Sequence, residues 1–353
     1  MTELPHHAGG ADAAGDDDRR RAGDLGLRIG HRPSGAHNAI TDVPGVLVGH
    51  TTVREAPDVH TGVTAVVPAG IGPHAPLPAG LFTGNGRGKF VGATQVAELG
   101  EIESPIVLTS TLSAFRAADA LVSWMLADPA NDDVLSFNPV VGECNDGALS
   151  DIRRRPVTEA HVLAALASAA PGPVAEGCVG AGTGMVSLGY KAGIGTSSRQ
   201  VEAAGAAFAL GVLVLANFGG TLRIAGTEVP GGANGGVLRD HGSCVVVVAT
   251  DAPLDARQLT RVARRAVFAM ARVGSAFGHE SGDYALAFST RRAAPVLADP
   301  ELSPLFEATL DATEEAVLNS LLAARTTRGR DGTLVQALPA REVLALIGQH
   351  PAR

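Results

Sequence analysis

The 353-residue chain is poor in cysteine, aromatic residues and charge. Its three cysteines, Cys144, Cys178 and Cys244, are odd in number and widely spaced, which excludes a disulfide framework and the common zinc motifs. We therefore expect a reducing, cytoplasmic environment and no metal. Charged residues make up 18% of the chain and the net charge is -8, so we expect no basic surface that binds nucleic acid.

Long apolar runs are also missing. The longest uncharged one, 203–216, falls short of the ~20 residues that a membrane-spanning helix needs, so we expect no membrane insertion. Residues 1–23 are polar and lack the apolar core of a signal peptide, which predicts a disordered N-terminal tail. Hydrophobic residues make up 45% of the chain, enough for a substantial core, and we predict one folded domain over residues 24–353.

Helices and buried strands alternate along that domain. Runs rich in β-branched residues predict strands at 106–109, 211–215 and 244–249. Apolar residues at helical spacing predict a helix with Phe115 on its buried face and another from Leu259 to Val273. The two strongest strands flank a glycine-rich loop rather than a helix. This pattern favours an α/β fold with stacked layers of sheet and helix.

Two glycine-rich segments look like nucleotide-binding loops. Gly180–Gly184 has the spacing of a dinucleotide loop, but Met185 stands where glycine or alanine is needed. Because Glu202 lies near the distance of a ribose-binding acid, a nucleotide-dependent oxidoreductase stays open as an alternative function. The segment 84–90 lacks two positions of a phosphate loop and is rejected. No Gly-x-Ser-x-Gly elbow is present, and no zinc-helix motif follows from the scattered histidines.

The junction at Gly242-Ser243 separates a polar loop from an apolar strand. If this peptide bond is cut, Ser243 gains a free α-amine with a reference pKa of about 7.7–8.0. Such an amine can take the proton of the serine hydroxyl, as in N-terminal-nucleophile catalysis. Glycine before the bond permits the strained backbone that an N→O acyl shift needs. By pattern alone, the serine also fits an ordinary loop–strand junction.

Seven segments carry a resemblance to a known family: Asn38–Val46, Thr61–Ala65, Gly84–Gly86, Gly180–Met185, Gly193–Arg199, Ala249–Leu254 and Ser281–Thr290. They resemble the DmpA-type L-aminopeptidases/D-alanyl esterases-amidases, a family that includes the β-peptidyl aminopeptidases. The resemblance extends from about Asp24 to the C-terminal helix. It implies a four-layer αββα sandwich that resembles the N-terminal-nucleophile hydrolases with different strand connectivity.

The same resemblance implies an activity. The precursor would cut itself before Ser243, giving an α chain up to Gly242 and a β chain of residues 243–353. The product would be a serine aminopeptidase and amidase-esterase that removes N-terminal residues from short peptides, amides or esters through an acyl-enzyme. It would use no cofactor and would assemble as a homo-oligomer of αβ units. An unprocessed, non-catalytic relative of the same fold is the other alternative.

The resemblance also assigns roles to individual residues. Ser243 matches the nucleophile, and Ser281 and Asp283 match the serine and acid that complete the active-site network. Asn217 matches the asparagine that binds the oxyanion. Glu143 matches the acid that holds the substrate ammonium.

One position departs from the family pattern. Asn145 stands where the well-studied members have a tyrosine that helps to bind the oxyanion, and we expect its side-chain amide to donate instead. By residue type alone, Asn217 also fits a strand end, Glu143 a surface ion pair, and Ser281 and Asp283 a turn.

Overall fold

The computed structural model of the chain describes residues 20–230, 241–292 and 295–349, which contain the strands and α-helices of the fold. In chain order they are β1 (Val46–Glu55), β2 (Val59–Pro68), β3 (Leu77–Gly86), β4 (Phe90–Val91), α1 (Ala93–Leu99), β5 (Glu101–Ile102), β6 (Ile106–Ser110), α2 (Ala114–Leu126), β7 (Val140–Cys144), α3 (Glu159–Ala167), β8 (Val186–Ser187), β9 (Tyr190–Lys191), β10 (Ile194–Ala203), β11 (Ala206–Asn217), β12 (Arg223–Ile224), β13 (Thr227–Glu228), β14 (His241–Thr250), α4 (Ala256–Met270), β15 (Glu280–Ser289), α5 (Ser303–Leu322), β16 (Thr327–Arg328), β17 (Leu334–Val335) and α6 (Ala340–Gln349).

Two sheets dominate the described part of the chain. One has the strand order β1-β2-β6-β7-β4 and the other the order β10-β11-β14-β15-β3-β5. The pairs β6–β7 and β14–β15 are parallel. Parallel neighbours need a crossover connection, and α2 and α4 supply it. Because each crossover helix packs on its own sheet, α2 and α4 cover the outer faces of the two sheets.

Three apolar cores separate the layers. On β14, Val245 and Val247 face the core between the sheets, whereas Val246 and Val248 face the core under α4 and α5. A strand buried on both faces reads as a continuous apolar run, which explains the sequence of this segment. The third core lies between the first sheet and the helices α2 and α3. The order of layers is helix, sheet, sheet, helix, which confirms the predicted four-layer αββα sandwich.

A glycine brings the two sheets together next to Ser243. A Cβ at Gly142 on β7 would lie 3.0 Å from Leu108 Cδ2 and 3.0 Å from Val245 Cγ1. Real Cβ atoms rarely have such close neighbours, so a side chain here would push β7 away from β14. Gly142 thus lets the segment after β7 reach the beginning of β14.

The predicted tail, 1–23, is too long at its C-terminal end. Its first 19 residues lie outside the described part of the chain. Arg21 forms an ion pair with Glu176 at 2.9 Å, and the backbone N–H of Ala22 donates to Asn319 Oδ1 at 2.8 Å. Burial raises the pKa of Glu176 to about 7, while Arg21 favours its ionised form. Arg21 and Ala22 are therefore part of the fold.

The predicted buried face of α2 is wrong at Phe115, which is 67% exposed. Ala114, Ala117 and Leu121 are buried instead. The alanines let the helix lie close to the sheet, and the larger phenylalanine lies outside this contact. No helix in the described ranges is long and apolar enough to cross a membrane.

Candidate active site

Ser243 and Asn217 lie opposite each other on adjacent antiparallel strands. Ser243 is near the beginning of β14, and Asn217 is the last residue of β11. The side chains are buried, with 4% and 1% exposure. Because antiparallel neighbours run in opposite directions, the end of β11 lies beside the start of β14. The two polar side chains are therefore at the same end of these strands.

The Asn217 amide is held in one orientation. Its Oδ1 accepts from the backbone N–H of Val186 at 3.0 Å, which identifies the oxygen. Its Nδ2 therefore provides the donors, to the Asn145 carbonyl at 3.0 Å and to Ser243 Oγ at 3.3 Å. This side chain is a rigid N–H donor directed at the serine hydroxyl.

Asn145 also contacts Ser243, but through its backbone. Its backbone N–H donates to Ser243 Oγ at 3.3 Å. The Oδ1 of its side-chain amide accepts from the Gly147 N–H at 2.9 Å, and the predicted donor role of that amide stays a prediction. Two N–H groups thus converge on one hydroxyl oxygen, one from the main chain and one from Asn217. Such paired donors can stabilise an oxyanion that forms beside the serine.

Ser281 and Asp283 form a second buried pair on β15. Ser281 Oγ donates to Asp283 Oδ1 at 2.8 Å. Within the described residues, Asp283 Oδ2 is buried without a hydrogen-bond partner. Burial raises the pKa of Asp283 to about 6, and the hydrogen bond from Ser281 opposes this shift.

In the described part of the chain, no hydrogen bond joins this pair to the Ser243 hydroxyl. Gly242 lies opposite Ser281 and Ser243 opposite Gly282 in the parallel register of β14 and β15. Side chains alternate between the faces of a strand. Ser281 and Asp283 therefore point to the face of the sheet opposite to that of Ser243, and they flank Gly282, the residue opposite Ser243.

Glu143 is the buried carboxylate of the site. It is 4% exposed, and its Oε1 accepts from the Lys89 backbone N–H at 2.8 Å and pairs with Lys89 Nζ at 3.2 Å. Glu143 precedes Asn145 by two residues, so one short segment at the end of β7 provides two residues of the site. The structure brings together Ser243, Asn217, Asn145 and Glu143 around one cavity of about 540 Å³.

Sequence reasoning missed three charged residues of this cavity: Arg87, Lys89 and Glu280. Arg87 and Glu280 form an ion pair at 3.0 Å. In the sequence, Gly84–Gly86 supports the family resemblance and the segment 84–90 fails as a phosphate loop, but its basic residues gave no signal of a role in the site. These residues lie near the serine because β3 pairs with β15, which places the turn after β3 beside the cavity.

A buried acid next to Asn145 was missed too. Asp146 Oδ1 accepts from Ser110 Oγ at 2.9 Å. Burial raises the pKa of Asp146 to about 6, while the side chains of Thr61 and Ser110 oppose the shift. Asp146 follows the residue whose N–H reaches Ser243, and its contact with Ser110 anchors that turn.

The Gly180–Gly184 segment is not a nucleotide loop. It forms a fully buried 3-10 helix. A Cβ at Gly180 would lie 2.7 Å from the Val63 carbonyl oxygen, and one at Gly184 would collide with the His60 carbonyl. The glycines serve close backbone packing, and no surface is left for a dinucleotide. Among the described residues, no three His, Cys, Asp or Glu side chains form a group that could hold a metal ion.

The cysteines beside the site are packing residues by their environment. Cys144 and Cys244 are completely buried, and burial raises the pKa of both thiols. Cys244 belongs to the core under the helices, whereas Cys144 lies in the core between the sheets. The alternation predicted for Cys244, away from the face of Ser243, is confirmed.

The chain is similar over most of its length to known peptidases. Residues 38–335 match the model of Peptidase family S58. The beta-peptidyl aminopeptidase BapA of Sphingosinicella microcystinivorans is 40% identical in an alignment of 381 positions that covers 97% of this chain and 94% of that protein. The Burkholderia sp. beta-aminopeptidase structure is 38% identical with a TM-score of 0.83, covering 95% of this chain and 100% of that one.

A third relative defines the fold. The L-aminopeptidase D-Ala-esterase/amidase of Ochrobactrum anthropi is 40% identical with a TM-score of 0.86, covering 94% of this chain and 98% of that one. It is described as a prototype for the serine aminopeptidases and as a variant of the Ntn hydrolase fold. The chain belongs to peptidase family S58 and is a hydrolase of the serine aminopeptidase class with an N-terminal-nucleophile hydrolase fold.

Proposed function

We propose that the chain cuts itself between Gly242 and Ser243 and then removes N-terminal residues from short peptides, amides or esters. The observation that carries this proposal is the convergence of two N–H donors on Ser243 Oγ, each at 3.3 Å. Relatives named as beta-peptidyl aminopeptidase and as L-aminopeptidase D-Ala-esterase/amidase support the substrate class.

In the proposed reaction, Ser243 Oγ attacks the acyl carbon of the substrate. The free α-amine of processed Ser243 takes the hydroxyl proton and later passes it to the leaving amine. Its reference pKa, about 7.7–8.0, suits this task near neutral pH. The amine product leaves an ester on Ser243. Water then attacks the ester, which releases the carboxylic acid and restores the hydroxyl.

The oxyanion of each tetrahedral intermediate would accept from Asn217 Nδ2 and the Asn145 backbone N–H. Both donors are fixed before the substrate binds, because Asn217 is held by Val186 and Asn145, which directly follows β7, accepts at its carbonyl from Asn217. Fixed donors need no reorganisation as charge develops, which is the source of their catalytic effect.

Glu143 would bind the ammonium of the substrate. It is a buried carboxylate that lines the same cavity as the nucleophile, and its Oε1 forms an ion pair with the cationic Lys89 Nζ. A binding site for one ammonium close to the nucleophile restricts cleavage to the first residue of a chain. This restriction accounts for exopeptidase action.

Ser281 and Asp283 would act on the α-amine rather than on the hydroxyl. Asp283 carries a buried oxygen without a hydrogen-bond partner in the described chain, and Ser281 and Asp283 are the neighbours of Gly282, which lies opposite Ser243. An ionised Asp283 stabilises a protonated amine nearby. In this role the two side chains orient the base and hold the proton that it receives.

We further propose one catalytic domain over residues 24–353, extended to Arg21 by its contacts, in a cytoplasmic homo-oligomer of αβ units. The exposed Phe115 and Leu126 of α2 support an interface between copies. Light scattering on the purified protein measures the subunit number.

The activity is tested with β-alanyl and L-alanyl p-nitroanilides and with a serine-directed acylating reagent. We expect hydrolysis of an anilide, and one label on Ser243 after peptide mapping. The Ser243→Ala protein should neither hydrolyse the substrates nor take up the label. Hydrolysis by Ser243→Ala, or a label on another serine of the active wild type, would contradict the proposed mechanism.

A further inference from the structure

The cavity beside Ser243 contains as many cations as anions among its charged lining residues. Lys89 pairs with Glu143 at 3.2 Å, and Arg87 pairs with Glu280 at 3.0 Å. All four side chains line the same cavity as the nucleophile. A site that selects only an ammonium would present an uncompensated carboxylate. Here the carboxylate assigned to the ammonium already has a cationic partner.

Lys89 is suited to exchange its partner. Its side chain is 36% exposed, whereas Glu143 is 4% exposed. Glu143 keeps a hydrogen bond from the Lys89 backbone N–H at 2.8 Å, so its carboxylate stays in place when the lysine side chain moves. If a substrate brought only an ammonium, Lys89 and that ammonium would compete for one carboxylate. A substrate that also brings a carboxylate would leave every ion paired.

We propose that Lys89 is a specificity-determining residue that binds a carboxylate on the N-terminal residue of the substrate, and that β-aspartyl amides are a preferred substrate class. This inference rests on the proposed function. In a β-aspartyl residue the ammonium and the carboxylate share one carbon, and the scissile carbonyl is one methylene away. The ammonium would bind Glu143 and the carboxylate Lys89, with the carbonyl at Ser243.

The experiment compares three p-nitroanilides that have no C-terminal carboxylate: β-aspartyl, its analogue with a carboxamide in place of the α-carboxylate, and β-alanyl. The first two have nearly the same shape and differ in charge. A charge-assisted hydrogen bond is worth roughly 10-fold or more in affinity. We expect the wild type to show a kcat/KM at least ~10-fold higher for the carboxylate than for the carboxamide.

Lys89→Met should bring that ratio to about 1 or below, because the carboxylate would then face Glu143 without a cation. Arg87→Met tests whether the other cation of the cavity causes the preference for the carboxylate substrate. Arg257→Met is the matched control. Arg257, on α4, forms an exposed ion pair with Asp299, so this variant also loses a cation but should keep the wild-type ratio.

Two results would overturn the inference. One is an equal or lower kcat/KM for the carboxylate substrate while β-alanyl anilide is cleaved, which leaves the proposed function intact. The other is a preference that survives Lys89→Met and disappears in Arg87→Met. If the wild type cleaves none of the anilides, the proposed function and this inference both fail.

Discussion

The backbone N–H of Asn145 donates to Ser243 Oγ at 3.3 Å. This donor belongs to the main chain, so the contact does not depend on the type of side chain at position 145. The contact depends on Gly142, which lets β7 approach β14. The side chain of Asn145 is free to stabilise its own turn through Gly147.

The role of Asn217 can be tested by Asn217→Asp. The aspartate can still accept from the Val186 N–H but loses the donor to Ser243. We expect kcat per active site to fall by ~10²–10³ with little change in KM, since loss of one oxyanion donor affects mainly the transition state. Active sites are counted by acyl labelling of the processed chain. A variant with the wild-type kcat would exclude Asn217 as an oxyanion donor.

Glu143→Gln tests the ammonium site. The amide keeps the size of the side chain and loses the charge that the substrate ammonium needs. We expect KM for β-alanyl p-nitroanilide to rise about 10-fold or more, since hydrogen bonds to charged groups are the stronger ones. N-acetyl-β-alanyl p-nitroanilide should be a poor substrate for the wild type. Efficient cleavage of the acetylated compound would contradict an exopeptidase site.

The raised pKa of Asp283 predicts that kcat/KM falls on the acidic side of its pH profile, which we call the acidic limb. Burial raises the pKa of Asp283 to about 6, so the carboxyl group is ionised above pH 6 and loses its charge below it. The mechanism also needs the Ser243 α-amine in its neutral form, and protonation of this amine lowers the rate separately. Below the pKa of Asp283 we therefore expect kcat/KM to fall by about a further 10-fold per pH unit, as for one additional required carboxylate. In Asp283→Asn this limb should disappear, with a lower rate at all pH values.

Two other groups of the site change their charge between about pH 6 and 8. The Ser243 α-amine has a reference pKa of about 7.7–8.0, and the pKa of Asp146 is also raised to about 6. Asp146→Asn therefore serves as the control for the previous prediction. If the limb near pH 6 is lost in Asp146→Asn and kept in Asp283→Asn, the assignment to Asp283 is wrong.

Gly242→Ala should slow self-cleavage. A Cβ at this position would lie 2.9 Å from Phe218 Cα and 3.0 Å from the Asn217 carbonyl oxygen, so the scissile bond would shift relative to the oxyanion donor. We expect full-length chain to accumulate in a time course followed by mass spectrometry. Gly23→Ala is the control, because nothing lies within 4 Å of its added Cβ. Processing of Gly242→Ala at the wild-type rate would show that this close approach is unimportant.

The reason for glycine before Ser243 illustrates what sequence could provide. The sequence suggested a need for strained backbone, whereas in the structure Gly242 lies in β14 and the requirement is the close approach of Phe218. Stacked layers of sheet and helix were predictable because β14 is a continuous apolar run and α4 has apolar residues at helical spacing. The four-layer order came from the family resemblance. The bounds of β14 were not, since it begins at His241, before the apolar run.

The site was predictable only in part. The residues around Ser243 came from the family resemblance, and the structure brings Asn217, Asn145 and Glu143 to the same cavity. Arg87 and Lys89 could not be predicted, because strand pairing between β3 and β15 brings their turn to the site from 150 residues away. The donor role of the Asn145 main chain was hidden for a similar reason, as a backbone group leaves no signature in the sequence.

The central claim is that Ser243 becomes a chain terminus, and the most direct test is the intact mass of the purified protein under denaturing conditions. We predict two species, one ending at Gly242 and one beginning at Ser243, and a single full-length species for Ser243→Ala. A single full-length mass for an active wild type would contradict the account. A full-length and inactive wild type would identify the chain as an unprocessed, non-catalytic relative.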